Sequence, residues 1–180
     1  MNDRHTAATA DPAQVLKARA RALARPILDD AQQTLLELLE FRLGKELYAV
    51  ETRYVSEVYP LKNLTPLPST PRFVLGIVNV RGRIVPVFDL RAMFDLPEQG
   101  LTDLHKMIIV AGRGLELGLV TDAAMAVRLL PQDSLQASLP TLTGIHAEYL
   151  KGITAGGLVV LDVERILGDP KIVVHEEVES

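Results

Sequence analysis

The stretch GIVNVRGRIVPVFDL, residues 76–90, decides how this chain is read. Residues 77–80 and 84–87 are two runs rich in β-branched side chains, and Arg81-Gly82-Arg83 separates them. Branched side chains fit a pleated surface, and Gly82 tolerates the positive φ that a tight turn demands. The stretch therefore predicts a β-hairpin with an arginine at its tip. Packing does not require that charge, so Arg81 becomes a candidate for recognition. Arg83 falls past the turn, in the second strand, and reads as a solubilising charge. Pro86 has no N–H to give to a ladder, which predicts an edge strand or a bulge in a small, partly closed barrel.

More strands are predicted on both sides. Leu39, Phe41 and Leu43 alternate with Glu40 and Arg42 at the period of a half-buried strand. Gly44-Lys45 turns the chain into ELYAV, and residues 54–59 form another strand. TPLPSTP, residues 65–71, is a proline-rich loop, and Thr70-Pro71 predicts a short helical turn ending at Gly76. Asp89 is placed to cap a helical segment, LRAMF. Further strands fit KMIIVA, LELGLV, MAVRLL and GLVVLD. Residues 1–11 read as a polar tail. DPAQVLKARARALARP, residues 11–26, reads as a helix capped by Asp11 and stopped at Pro26. Its Lys17, Arg21 and Arg25 share one face, either solvated or a dock for an acidic partner or a membrane surface. HEEVES at the other end is acidic. The predicted organisation is a tail and basic helix over 1–34, a β domain over 35–168 and an acidic tail over 169–180.

A repeat underlies the β region. Glu46-Leu47-x-x-Val50 matches Glu116-Leu117-x-x-Val120, and Phe73-Val74-x-Gly76-Ile77 matches Tyr149-Leu150-x-Gly152-Ile153. Asp89-Leu90-x-x-Met93-Phe94 matches Asp162-Val163-x-x-Ile166-Leu167. The three matches keep their order, which predicts two similar units, each a small barrel, sharing one core.

Chemistry is hard to find in these residues. There is no cysteine, so disulfides, thiolate metal sites and cysteine nucleophiles are excluded. His5, His105, His146 and His175 lack metal-ligand spacing and read as structural or solvated. GRGLELG, residues 112–118, opens a strand where a phosphate loop opens a helix, so it reads as a hairpin turn. Asp89 and Asp162 occupy equivalent places in the repeat and read as helix caps rather than a catalytic carboxylate pair. A net charge of −4 and 4% aromatic residues argue against a general nucleic-acid binder. No apolar run reaches the roughly 20 residues of a membrane span, which sets cytoplasm as the expected location. No catalytic residue, metal or cofactor is expected. A domain without catalytic groups works by its surface, and two related barrels can bridge two partners.

STPRFVLGIVNVRGRIVPVFDLR and EYLKGITAGGLVVLDVERIL together resemble the CheW family of bacterial chemotaxis coupling proteins. The motif residues are Asn79-Val80-Arg81-Gly82 and Val85-Pro86-Val87-Phe88-Asp89-Leu90, and LEFRLGKELYAVETRYVSEV is similar to the family's first strands. The likeness covers residues 36–167. VTDAAMAVRLL departs from the family pattern, with Ala123 and Ala124 in place of bulkier groups. The resemblance implies two SH3-like five-stranded barrels on a shared core. It also implies a non-catalytic scaffold between chemoreceptor tips and the regulatory domain of the histidine kinase CheA. Such a scaffold meets the membrane only through its receptors and does not bind nucleic acid. The partner-binding positions implied are Val55, Glu57, Gly76, Asn79, Arg81 and Gly82. Two alternatives remain open: a similar adaptor with a pilus, development or second-messenger output, or a β-barrel that binds a small molecule or nucleic acid.

Overall fold

In the computed structural model, residues 34–97, 100, 105–136, 145–170 and 172 are described. The helix expected over 11–26 and most of the acidic tail lie outside them. The opening hairpin forms as its sequence demands. Strand β4 (Val74–Val80) pairs antiparallel with β5 (Arg83–Asp89), with Val80 opposite Arg83. Arg81 and Gly82 make the turn at φ 53° and 87°. Two successive positive φ values define the type I′ turn, whose twist matches that of its strands. The same turn recurs at Arg113-Gly114, which makes GRGLELG the hairpin between β6 (Lys106–Gly112) and β7 (Leu115–Thr121).

The remaining strands are β1 (Leu35–Leu43), β2 (Glu46–Glu51), β3 (Val55–Pro60), β8 (Ala123–Pro131), β9 (Leu150–Ile153) and β10 (Val159–Leu161). They form two five-stranded sheets, in the orders β8-β1-β2-β10-β9 and β3-β6-β7-β5-β4. Each sheet curls back on itself just beyond its first strand. Thr65, after β3, bridges Ile77 of β4, and Gln136, after β8, bridges Ile153 of β9. The result is two small SH3-like barrels.

The repeat is visible atom by atom. Asp89 N–H donates to the Phe73 carbonyl and Asp162 N–H to the Tyr149 carbonyl, both at 2.8 Å. A bulge falls between Val74 and Gly76 in one barrel and between their counterparts, Leu150 and Gly152, in the other. The Asp89 carboxylate caps α1 (Leu90–Met93) by accepting Arg91 N–H at 2.9 Å. Asp162 caps α3 (Val163–Gly168) by accepting Arg165 N–H at 3.1 Å, and α2 (Ile145–Glu148) precedes β9. The repeats do not fold as one barrel each, however. Each barrel joins the last three strands of one repeat to the first two of the other. The joints are the parallel pairs β5–β7 and β10–β2 and the antiparallel pairs β3–β6 and β1–β8.

The core follows from this exchange. Val78, Val80, Val85, Val87, Met107 and Ile109 fill one barrel, and Leu36, Leu38, Ala49 and Val160 the other. Between the barrels a third cluster takes Leu39, Phe41 and Val50 from one sheet and Phe88, Ile108, Val110 and Leu119 from the other. Successive residues of β6 thus serve two cores, which is why KMIIVA is apolar without alternation.

Three local expectations are corrected. Residues 70–76 do not form a helical turn: Val74 N–H closes a single turn onto the Pro71 carbonyl, and β4 begins there because β5 recruits it. Pro86 is not on an edge strand. It sits in β5, between β4 and β7, one residue before the β7 ladder starts at Val87, so its missing N–H costs no bond. Packing also continues past residue 168, since Ile172 is buried in the shared cluster and Asp169 accepts the Tyr149 hydroxyl.

At the crossover from β7 to β8 stands Asp122. Its N–H bonds the Arg42 carbonyl at 3.0 Å, and one carboxylate oxygen accepts Gly44 N–H at 2.6 Å. The other oxygen meets Arg91, 1% exposed, and lies 3.2 Å from His105 Nε2. One carboxylate therefore ties the β1–β2 turn of one barrel to α1 and β6 of the other. Removing one member of a buried ion pair typically costs 3–5 kcal/mol, whereas apolar replacement of both can be neutral. Asp122→Ala is accordingly expected to lose about 3 kcal/mol or more in urea denaturation. The double variant Arg91→Met with Asp122→Leu should recover most of it; no recovery would mean that the charges themselves are needed.

Candidate functional site

The β4–β5 hairpin carries Asn79, Arg81 and Gly82. The Asn79 side-chain carbonyl accepts Gly82 N–H at 2.8 Å, so the asparagine braces the turn from within. Glu57 on β3 faces the same hairpin because closure through Thr65 and Ile77 brings β3 round to β4. Its two carboxylate oxygens are shared: Arg81 Nη1 lies 3.2 Å from one and Arg83 Nη2 2.7 Å from the other. Arg83 also reaches Glu116 of β7 at 2.5 Å.

Exposure separates the two arginines. Arg83, 44% exposed, spans two carboxylates, while Arg81, 73% exposed, makes one longer contact to Glu57. The expectation that Arg83 merely solubilises the strand is therefore corrected: it is the brace of this end of the barrel. Arg81 is the charge that the fold spares. The twin connection, between β9 and β10, supports this. There Thr154 and Gly157 close the turn with a 2.9 Å backbone bond and no charged residue. A hairpin at this position does not need a cation to form.

Of the six positions singled out in the sequence, Glu57, Asn79, Arg81 and Gly82 come together. Val55, also on β3, is half-buried and packs against the shared cluster. Gly76 is buried beneath the hairpin's base. Its φ is 143°, and an added Cβ would come 2.1 Å from the Thr65 carbonyl oxygen at the bridge that closes the barrel. Its place is structural. Nearby, Glu51 is buried and bound by Arg53 at 2.9 Å and by Lys151. Burial first, then the carboxylates of Glu164 and Glu51, hold the Tyr54 hydroxyl above its ordinary pKa, against the opposing pull of the Arg53 cation.

Sequence reasoning missed a second surface. Leu35 on β1 and Val127 and Leu129 on β8 are each more than half exposed, on the outer side of the first barrel. Leu129 lies opposite Glu37 and Val127 opposite Leu39 across the β1–β8 ladder. The signal was present in AVRLLP, too apolar for an edge strand facing water. Among the described residues no group of three or more His, Cys, Asp or Glu could hold a metal ion, and no helix is long and apolar enough to cross a membrane.

Residues 37–171 match the CheW-like domain. The chain belongs to the CheW family. It is 31% identical over 143 residues to the chemotaxis protein CheW of Treponema pallidum, covering 76% of this chain and 84% of that one. The crystal structure of the scaffolding protein TtCheW from Thermoanaerobacter tengcongensis superposes with a TM-score of 0.63 at 30% identity, over 70% of this chain and 83% of its own. Protein PilI of Pseudomonas aeruginosa is 26% identical over 113 residues, 63% of this chain and 64% of that one. CheW proteins are scaffolds without catalysis, and the fold here is theirs.

The two glycines offer a direct check on the geometry. Gly76→Ala is expected to cost about 3 kcal/mol or more, because both φ and the Thr65 backbone oppose a side chain. Gly82→Ala, with open space around it, should cost only about 1 kcal/mol. Thermal melts of both variants decide it; equal losses would refute the assignment of Gly76 to barrel closure.

Proposed function

We propose that this protein is a cytoplasmic scaffold that couples chemoreceptor tips to the regulatory domain of a CheA-type histidine kinase. On this reading it reaches the membrane only through its receptors. The observation that carries the proposal is Arg81: a 73%-exposed guanidinium on a turn whose twin forms without charge. A guanidinium holds a carboxylate or a pair of carbonyls in fixed geometry, which suits it to one face of an adaptor. The apolar surface of Leu35, Val127 and Leu129 on the other barrel supplies a second. Two faces on two barrels are what a bridging molecule requires, and coupling then means that each partner's binding free energy depends on the other's.

The likeness to PilI favours a second reading of the output: the same scaffold serving a pilus-linked chemosensory pathway. Pull-down of kinases and receptors from the source cell distinguishes the two, since the scaffold mechanism is common to both.

Arg81→Glu places a carboxylate beside Glu57 and removes the cation. Normal folding is expected, with loss of kinase or receptor affinity on the order of 2 kcal/mol, as for a central interface arginine. Binding isotherms beside thermal melts provide the measurement. Undiminished binding would refute the docking role of the hairpin, and a collapse in melting temperature would make Arg81 structural.

A further inference from the structure

Strand β8 is the outer strand of its sheet. Closure onto β9 comes only at Gln136, after β8 has ended at Pro131. Among the described residues no strand pairs with the far side of β8. The ladder itself shows which backbone groups face that open side. Gln132 N–H donates to the Thr34 carbonyl at 2.8 Å, continuing the register that sets Leu36 opposite Leu130 and Leu38 opposite Arg128. Bonded and unbonded pairs alternate in an antiparallel ladder, so Leu130 and Arg128 bond to β1, while Val127 and Leu129 turn their N–H and C=O groups outward. The side chains of Val127 and Leu129 are also more than half exposed, and Ala126 beside them is exposed too. Native edge strands are guarded by a charge, a proline or a bulge. Here the Arg128 guanidinium is turned to Glu40 at 2.7 Å, Pro131 stands at the strand's end, and the bulge lies further along, between Leu39 and Phe41 of β1. The backbone at Val127 and Leu129 has none of these guards.

We propose that β8 pairs antiparallel with β8 of a second copy of this chain, about a two-fold axis at Val127. The strand is complementary to itself in that register. Val127 meets Val127 as a bonded pair, so the outward N–H of each copy finds the outward C=O of the other, and two β-branched side chains pack across the joint. Arg128 falls opposite Ala126, and the two guanidinium groups do not face each other. An axis moved by one residue would set Arg128 against Arg128, and like charges directly opposite are destabilising. Leu35 and Leu129 lie on the same face as Val127 and extend the apolar cover on both sides of the joint. A two-fold contact of one patch with itself closes on two chains, so it gives a dimer and not a fibre. The dimer covers the apolar face that the scaffold reading gives to one of its partners. Self-pairing and that partner therefore exclude each other, although the pairing itself does not rest on the scaffold reading.

The chain contains no cysteine, so an engineered thiol reports without background. Opposite residues of a bonded antiparallel pair have Cα atoms about 5.5 Å apart, within the span of a disulfide. The test oxidises the full chain mildly as Val127→Cys and, for comparison, as Ile84→Cys, an equally exposed position on the second barrel. Crosslinked dimers are expected about tenfold faster at Val127, the local-concentration advantage of a preformed pair. Equal rates would overturn the proposal. Sedimentation equilibrium of the unaltered chain gives a second measurement that needs no substitution. Its mass is expected to rise towards two chains with concentration, and a mass of one chain up to about 1 mM would overturn the pairing. Val127→Lys, a charge of the kind that guards natural edges, is expected to restore the mass of one chain and leave the melting temperature of dilute protein unchanged. A Val127→Lys chain that still dimerises would place the contact elsewhere and overturn the proposal too. No partner protein enters these measurements, so their failure is distinct from a failure of the hairpin's docking role.

Discussion

The parallel pairs β5–β7 and β10–β2 are the constraint on which this structure depends. Parallel neighbours cannot be joined by a tight turn, so each pair demands a crossover through the rest of the fold. In this chain the crossovers run between repeats, and neither repeat can complete a barrel by itself. The β7–β8 link passes directly from one barrel to the other, and Asp122 sits on it, bonded to groups of both. Such a buried carboxylate is weak evidence of net stability, but it specifies geometry: it is satisfied only when the β1–β2 turn, α1 and the start of β6 converge.

That closure also sets the electrostatics of the hairpin. Glu57 and Arg83 lie on strands that are not neighbours in the sheet, and they meet because the barrel closes at Thr65. Arg83 and Glu116 use up most of the local charge, which leaves Glu57 to orient Arg81 through one exposed contact of 3.2 Å. An exposed pair of this kind is worth roughly 0–1 kcal/mol. Arg81 is therefore oriented yet cheaply released, which is the property a docking residue needs when a partner's carboxylate must replace an internal one.

Much of this was legible in the sequence because it is local. The type I′ hairpin, the caps at Asp89 and Asp162 and the strand periods of β1 and β2 depend on neighbours a few residues apart. The order of the repeat was legible too, since it is preserved along the chain. What failed was long-range. Periodicity does not say which strands pair, so the exchange between repeats stayed hidden, and Pro86, read as lying on an edge or at a bulge, stands in an inner strand one residue before its parallel neighbour's ladder begins. Arg83 looked idle because its partners, Glu57 and Glu116, are distant in sequence. Gly76 stood among recognition residues by resemblance, and the Thr65 backbone, distant in sequence but beside it in the fold, adds a packing reason why no side chain fits there.

Sharing one core has a consequence for how a scaffold of this kind transmits anything. The cluster between the barrels takes side chains from both sheets, and Val55 and Tyr54 pack on its margin. Interiors at crystal-like density do not deform continuously, so strain imposed at one surface is resisted or relayed rather than absorbed. The apolar face of β1 and β8 stands one strand layer from this cluster, through Leu39 and Phe41. The hairpin lies one layer from the second barrel's core, through Val80 and Val85. Two barrels joined by a flexible linker would let each face bind independently, with no coupling free energy between them. Strand exchange removes that linker and makes the two faces parts of one packed object, which allows contact at one face to alter the free energy of contact at the other.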